Sequence, residues 1–233
     1  MWPWVQRMSF RQWTKVAVLC VLSAHSAAAD RAISCNDRLV RVWAPESQLA
    51  QNVCDVVERA KPQLARCHLL LGNALNIQIR DDANLAGLIA HYSKTYDRIV
   101  IRSPGNLTEM LPVDSAYRAI PVMHFFESIV FHELAQALFL ETSGGRETSL
   151  AGHEYIAYAM QFESMPATAR DLLLDTIPPS GPIELAWFTE ARLHETPEVF
   201  AVNAWRHFSQ ESHGCDFVTK IVLGKVVFPS DLE

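Results

Sequence analysis

Residues 121–161, PVMHFFESIVFHELAQALFLETSGGRETSLAGHEYIAYAMQ, constrain the fold of this chain more than any other stretch. Pro121 suits the first turn of a helix, where its missing N–H would have no intrahelical partner. From position 122 to 140 apolar residues lie all around the helical wheel, which predicts a helix buried on every side. The glycines at 144 and 145 then stop it, because glycine takes the left-handed cap conformation at little steric cost. Such a helix spans about 33 Å at 1.5 Å per residue, the width of a small domain. A second helix is expected from about Thr148 to Gln161.

Three of the polar residues in this apolar helix stand close together. His132, Glu133 and Gln136 fall within one 100° arc, so all three can face one cavity. Burying a carboxylate beside an imidazole is costly unless each group finds a partner. The second helix offers His153 and Glu154. His153 projects about 100° away from Glu154 on that helix, which predicts a solvated or capping role for it. Tyr155 and Tyr158 stand at helical spacing as core aromatics, with a phenol near the site as the sharper alternative. His194 and His207 lie further on, where they can line a cleft, although their spacing does not demand it.

The segment HELAQ, residues 132–136, resembles the HExxH helix of zincin metallopeptidases with its second histidine replaced by Gln136. Glu154 follows on the next helix, as the third zinc ligand does in gluzincins. In that family two histidines one turn apart bind zinc, and the glutamate between them activates the metal-bound water. The resemblance casts His132 as first ligand, Glu133 as general base and Glu154 as third ligand, with Gln136 in the second-ligand position. It implies an α+β, zincin-like fold: a small N-terminal sheet and a helix packed on the central helix, then a mainly helical second half. It implies peptide or protein as substrate and peptide hydrolysis as the reaction, if the site is active.

Gln136 departs from the pattern. A neutral amide oxygen is a weak zinc ligand, so zinc is expected to bind weakly or not at all. A metal-free site has its own logic, since one amide carries both a donor and an acceptor and can join Glu154 to a His132 ring N–H. A non-catalytic, secreted peptide-binding or structural α+β domain is therefore the alternative to a peptidase. In a third reading HELAQ is a coincidence of a buried helix, and Glu154 would then lie far from His132.

Residues 1–29 read as a signal peptide. Arg7, Arg11 and Lys15 precede an apolar run, and Ala27-Ala28-Ala29 offers a cleavage site before Asp30. The expectation is export, with cleavage after Ala29, to a periplasmic or secreted location and a single domain over 30–233. A formal net charge of −6, with all three leader charges basic, argues against nucleic acid as a partner. No second apolar run reaches membrane-spanning length. Cys35, Cys54, Cys67 and Cys215 suggest two disulfides. On one continuous helix Cys54 and Cys67 would be about 20 Å apart, which leaves two connectivities. Antiparallel packing of the first strand on this helix favours Cys35–Cys67 with Cys54–Cys215.

The rest of the chain is read from periodicity. Strands are expected at 38–43, 75–80, 88–92 and 97–102, and helices at 46–67, 167–175, 184–193 and 197–209. Pro62 marks a kink or a second start in the first helix. A closing strand or short hairpin is expected over 216–228.

Overall fold

The computed structural model describes residues 31–229 except 82–84, 86, 147–148, 180 and 211–213. The expected signal peptide and the start of the second helix at Thr148 lie outside the described residues. The architecture is mixed α+β: one five-stranded sheet followed by a mainly helical half.

Strands β1 (Arg31–Ser34) and β2 (Val40–Ala44) form an antiparallel hairpin, and helix α1 (Ser47–Arg66) leads from β2 to β3 (Leu75–Ile79). β4 (Ala90–Ser93) and β5 (Arg98–Ile101) complete the sheet. The order across it is β1-β2-β3-β5-β4, with β2, β3 and β5 parallel and the two outer strands antiparallel to their neighbours. Register places Ile33, Val42, Ile77, Ile99 and Tyr92 in one row across all five strands. The strict alternation of buried and half-buried positions in β3 explains its legibility. β1 was not foreseen; it is a four-residue edge strand with too few residues to display a period.

α1 runs unbroken through Pro62, so no second helix starts there. Its buried stripe, Ala50, Val53, Val57, Ala60 and Leu64, recurs every three or four residues and packs on β1, β2 and the central helix. That central helix, α3 (Val122–Thr142), follows a short α2 (Pro104–Met110) that the sequence reading left unassigned. α3 is buried from Phe125 to Phe139 with few gaps, as its all-round apolar pattern predicts. It ends at Gly144 and Gly145, both with positive φ of 64° and 75°. Glu141 ties its last turn to the strand side by accepting from the Gly72 N–H and the Asn73 amide.

The second half contains α4 (Leu150–Ser164), α5 (Ala167–Thr176), α6 (Glu190–Glu195), α7 (Pro197–Phe208) and α8 (Gly214–Val222). The single helix expected over 184–193 is a short 3-10 turn at Leu185–Trp187 followed by α6. The expected strand or hairpin at 216–228 is instead α8, whose buried residues Phe217, Val218, Ile221 and Val222 show helical spacing. Tyr155 anchors this half. It is fully buried, its hydroxyl lies 2.7 Å from His207 Nδ1, and Phe188, Phe217 and Phe228 surround its ring. No helix among the described residues is long and apolar enough to cross a membrane.

Two disulfides are present, Cys35–Cys54 and Cys67–Cys215. They exclude a Cys54–Cys67 link, as the continuous helix requires, but the favoured pairing of Cys35 with Cys67 is wrong. The reason is length. β2 has five residues and spans about 17 Å, whereas α1 has twenty and spans about 30 Å. The start of the strand therefore meets the middle of the helix, where Glu58 accepts from the Asp37 N–H and Lys61 pairs with Asp37. Cys67, at the overhanging end, reaches α8 instead.

The two bridges close loops of very different size, 19 and 148 residues in sequence separation. On the chain-entropy account they stabilise by about 3 and about 5 kcal/mol respectively. Denaturant unfolding of the two paired Cys→Ser variants should therefore show the larger loss for Cys67/Cys215. An equal or reversed loss would show that native contacts, not loop closure, dominate.

Candidate functional site

The site lies between α3 and α4, which run antiparallel. On α3, Ser128, His132 and Gln136 stand at i, i+4 and i+8; on α4, Glu154, Tyr158 and Gln161 stand at i, i+4 and i+7. Each set occupies one helical face, and the two faces meet. His132 Nδ1 is 3.0 Å from Gln161 Oε1, and Gln161 Nε2 donates to Ser128 Oγ at 3.1 Å. Ser128 in turn donates to the Phe125 carbonyl at 2.7 Å. The chain of donors fixes the Gln161 amide with its oxygen toward His132, so Nδ1 carries the proton.

At the other end Gln136 Nε2 donates to Glu154 Oε1 at 2.8 Å and lies 3.1 Å from His132 Nε2. Glu154 Oε2 is 3.4 Å from the same ring nitrogen. His132, Gln136 and Glu154 thus converge, as their placement in the sequence suggests. One detail differs from expectation: the amide meets both neighbours through its nitrogen, not with the oxygen on a ring N–H. A carboxylate only accepts, so the NH2 must face Glu154, and its second hydrogen is directed at His132 Nε2.

The charges of the pair reinforce each other. Burial would lower the His132 pKa, but the hydrogen bond and charge of Glu154, with the charge of Glu133, raise it. Burial would raise that of Glu154, but His132 bonding and charge, the charge of His153 and the Gln136 bond hold it below the usual carboxylate range. Two states therefore compete at His132 Nε2: a lone pair that accepts from Gln136, and an N–H that donates to Glu154.

Glu133 borders the same cavity. It is 5 % exposed, and its Oε2 is buried with no hydrogen-bond partner. Burial pushes its carboxyl up to about 7, with Glu154 adding and His132 opposing. Tyr158 sets its ring edge-on to His132, with centroids 4.7 Å apart, so the phenol does border the site. Tyr155 instead belongs to the aromatic core. His153 is neither solvated nor a cap: it is half-buried, stacked at a tilt on Phe139, with Nε2 3.5 Å from the Gln136 carbonyl. His194 lines the cavity, whereas His207 is the buried partner of Tyr155.

The cavity is an open cleft of about 680 Å3. α3 and α4 form its floor, and the edge strand β4 with Leu88 and Ile89 forms one wall. The segment around Leu111, Pro112 and Tyr117, together with the start of α7, forms the other. Glu198 holds that second wall together by accepting from Ser115 Oγ and the Ala116 N–H. Sequence reasoning missed Ser128 and Gln161. Their signal is the repeat itself, polar residues recurring at i+4 and i+7 on otherwise apolar helices. Among the described residues, no three His, Cys, Asp or Glu side chains gather closely enough to hold a metal ion.

Glu133 makes a stability prediction with a definite sign. Folded, it keeps its proton up to about pH 7; unfolded, it releases it near the ordinary 4.5. The folded state thus binds more protons in that window, and stability falls as pH rises through it. Glu133→Gln should leave stability unchanged near pH 4 and raise it by up to about 3 kcal/mol at pH 8. Urea unfolding at the two pH values measures this; a loss at pH 8 would mean that the charged carboxylate has a partner.

A family model described as a family of unknown function (DUF6639) matches residues 40–231, which takes in β2 through α8 and every residue of the site. No curated protein and no solved structure matches the chain. The match covers most of the 233 residues, and the chain belongs to that family.

Proposed function

We propose that this chain has a zincin-like scaffold in which hydrogen bonds stand where a metallopeptidase holds zinc, and that its cleft binds an extended peptide without cutting it. The scaffold reading rests on HELAQ and Glu154 together. Were HELAQ a coincidence, nothing would require Glu154 to lie 3.4 Å from His132. The sheet beside the motif helix, with an edge strand along the cleft, is in keeping with it.

The observation that carries the non-catalytic reading is the amide of Gln136, bonded at 2.8 Å to Glu154 and 3.1 Å from His132. A zinc site wants three strong protein donors and an open position. Here only one imidazole nitrogen and one carboxylate remain, and the third group turns its NH2 toward both. A cation would have to displace that NH2 and break the bond to Glu154. The residues present do not fit zinc. Glu133, the general base of the family pattern, then has no metal-activated water to deprotonate.

The edge strand supplies the binding mode. Arg102 N donates to the Ile89 carbonyl at 3.0 Å, and the register pairs Ala90 with Ile101 and Tyr92 with Ile99. In an antiparallel ladder the alternate residues Ala90 and Tyr92 therefore direct N–H and C=O away from β5. Such an edge accepts another strand through main-chain bonds, with side chains reaching pockets on either side. The apolar residues Ile89, Phe125 and Ile129 line those pockets.

Two measurements test this reading. Protein prepared without chelators should contain no stoichiometric zinc, and Gln136→His should raise zinc affinity at least about a hundredfold, more than changes around an intact site produce. Tight zinc in the wild type would make a working metallopeptidase the better reading. Ala90→Pro removes one outward N–H at the first strand position, where proline is tolerated. It should weaken binding of an extended apolar hexapeptide at least tenfold; unchanged binding would exclude docking along β4.

A further inference from the structure

We infer that the cleft recognises a primary ammonium group attached to an apolar residue, with Glu133 as its counter-charge. The inference rests on the peptide-binding reading for the class of ligand, and on separate observations for its charged end. The described lining of the cleft contains three carboxylates, Glu133, Glu154 and Glu198, and no lysine or arginine. Two of the three are already engaged: Glu198 by Ser115 and the Ala116 N–H, and Glu154 by Gln136 and His132. Glu133 is not. Its Oε2 is buried without a partner although the side chain borders a solvent-connected cleft.

A second buried polar atom in the same cleft lacks a partner, the hydroxyl of Tyr117. Tyr117 is 9 % exposed, and its ring is fixed by stacking on Phe125 at 4.7 Å. An unmatched buried acceptor and an unmatched buried hydroxyl each carry a desolvation penalty, which an occupant with hydrogen bonds to offer would relieve. A neutral amide could satisfy hydrogen bonding but would bring no counter-charge, whereas a cation beside Glu133 favours its ionised form. An ammonium brings three donors and a positive charge, and it presents no lone pair to repel the carboxylates. Its bonds to an ionised carboxylate are of the stronger, charge-assisted kind.

The surroundings limit what the ammonium is attached to. Phe125, Ile129 and Leu193 line the same cleft and favour an apolar side chain on the occupant. An α-amino terminus meets this description, because charge, side chain and the onward backbone diverge from one carbon. The backbone can then continue along β4. A lysine side chain offers the same ammonium at the end of an apolar stem, and the two sources are separable by experiment.

Leucinamide, N-acetyl-leucinamide and N-acetyl-lysinamide, titrated by NMR into the wild-type protein and into Glu133→Gln, decide the matter. Leucinamide should bind at least tenfold more tightly than its acetylated form, and Glu133→Gln should abolish the difference. Because this substitution removes a buried charge, the variant is expected to fold. N-acetyl-lysinamide matching leucinamide would make a lysine side chain an equal source of the ammonium, whereas weaker binding would assign the chain terminus. Equal binding of leucinamide and its acetylated form, no binding of any of the three at 10 mM (on the order of the weakest affinity counted as recognition), or an advantage for leucinamide that survives Glu133→Gln would overturn the inference. Failure of the strand-docking reading appears separately, as a hexapeptide indifferent to Ala90→Pro while the amine preference persists.

Discussion

The polar ladder between α3 and α4 is the constraint around which the second half of this molecule is arranged. Ser128 meets Gln161, His132 meets both Gln161 and Glu154, and Gln136 meets Glu154. Each rung crosses from one apolar helix to the other, so sliding either helix by one turn would strand several buried polar groups at once. Hydrophobic packing tolerates such a shift; a ladder of specific bonds does not. The ladder therefore sets the register of two helices whose apolar surfaces alone would leave it loosely defined. It also sets the orientation of the His132 ring, by holding Nδ1 against a fixed amide oxygen.

Glu133 stands outside this network although it neighbours His132 in the chain. One helical step rotates it by about 100° from His132, and it lines the cleft with its Oε2 buried. The result is a division of labour along five residues. His132 and Gln136 are committed to structure, while the residue between them keeps an unmatched oxygen beside a space large enough for a ligand.

Much of this was legible from residue pattern. Pro121, the apolar run and Gly144-Gly145 delimit α3 because start, interior and stop signals agree, and Glu154 reaches Gln136 as the motif resemblance implies. Other features were hidden for definable reasons. Periodicity describes one element at a time, whereas Gln161 matters only once α3 and α4 are known to be antiparallel. The disulfide pairing depended on the relative lengths of β2 and α1, a distance comparison that spacing in sequence does not express. α8 was misread because the apolar run continues past its last residue, Val222, into Val226, Val227 and Phe228, which hides the helical spacing of Phe217, Val218, Ile221 and Val222. His153 looked solvated from its angle on α4, yet that angle turns it onto Phe139 of the neighbouring helix.

The Cys67–Cys215 bridge has a consequence for how this molecule meets proteases. The Pro/Gly-rich segment between α5 and the 3-10 turn at Leu185–Trp187 is largely exposed, the kind of segment at which chains are nicked. A cut there separates the chain after the whole polar ladder and before α6, α7 and α8. The two pieces nevertheless remain one molecule, because the bridge joins the end of α1 in the first piece to α8 in the second. The packing of α4 on α7 crosses the cut, so the bridge keeps both partners of that contact in one molecule. A nicked chain would migrate as two fragments only after reduction and as one molecule before it.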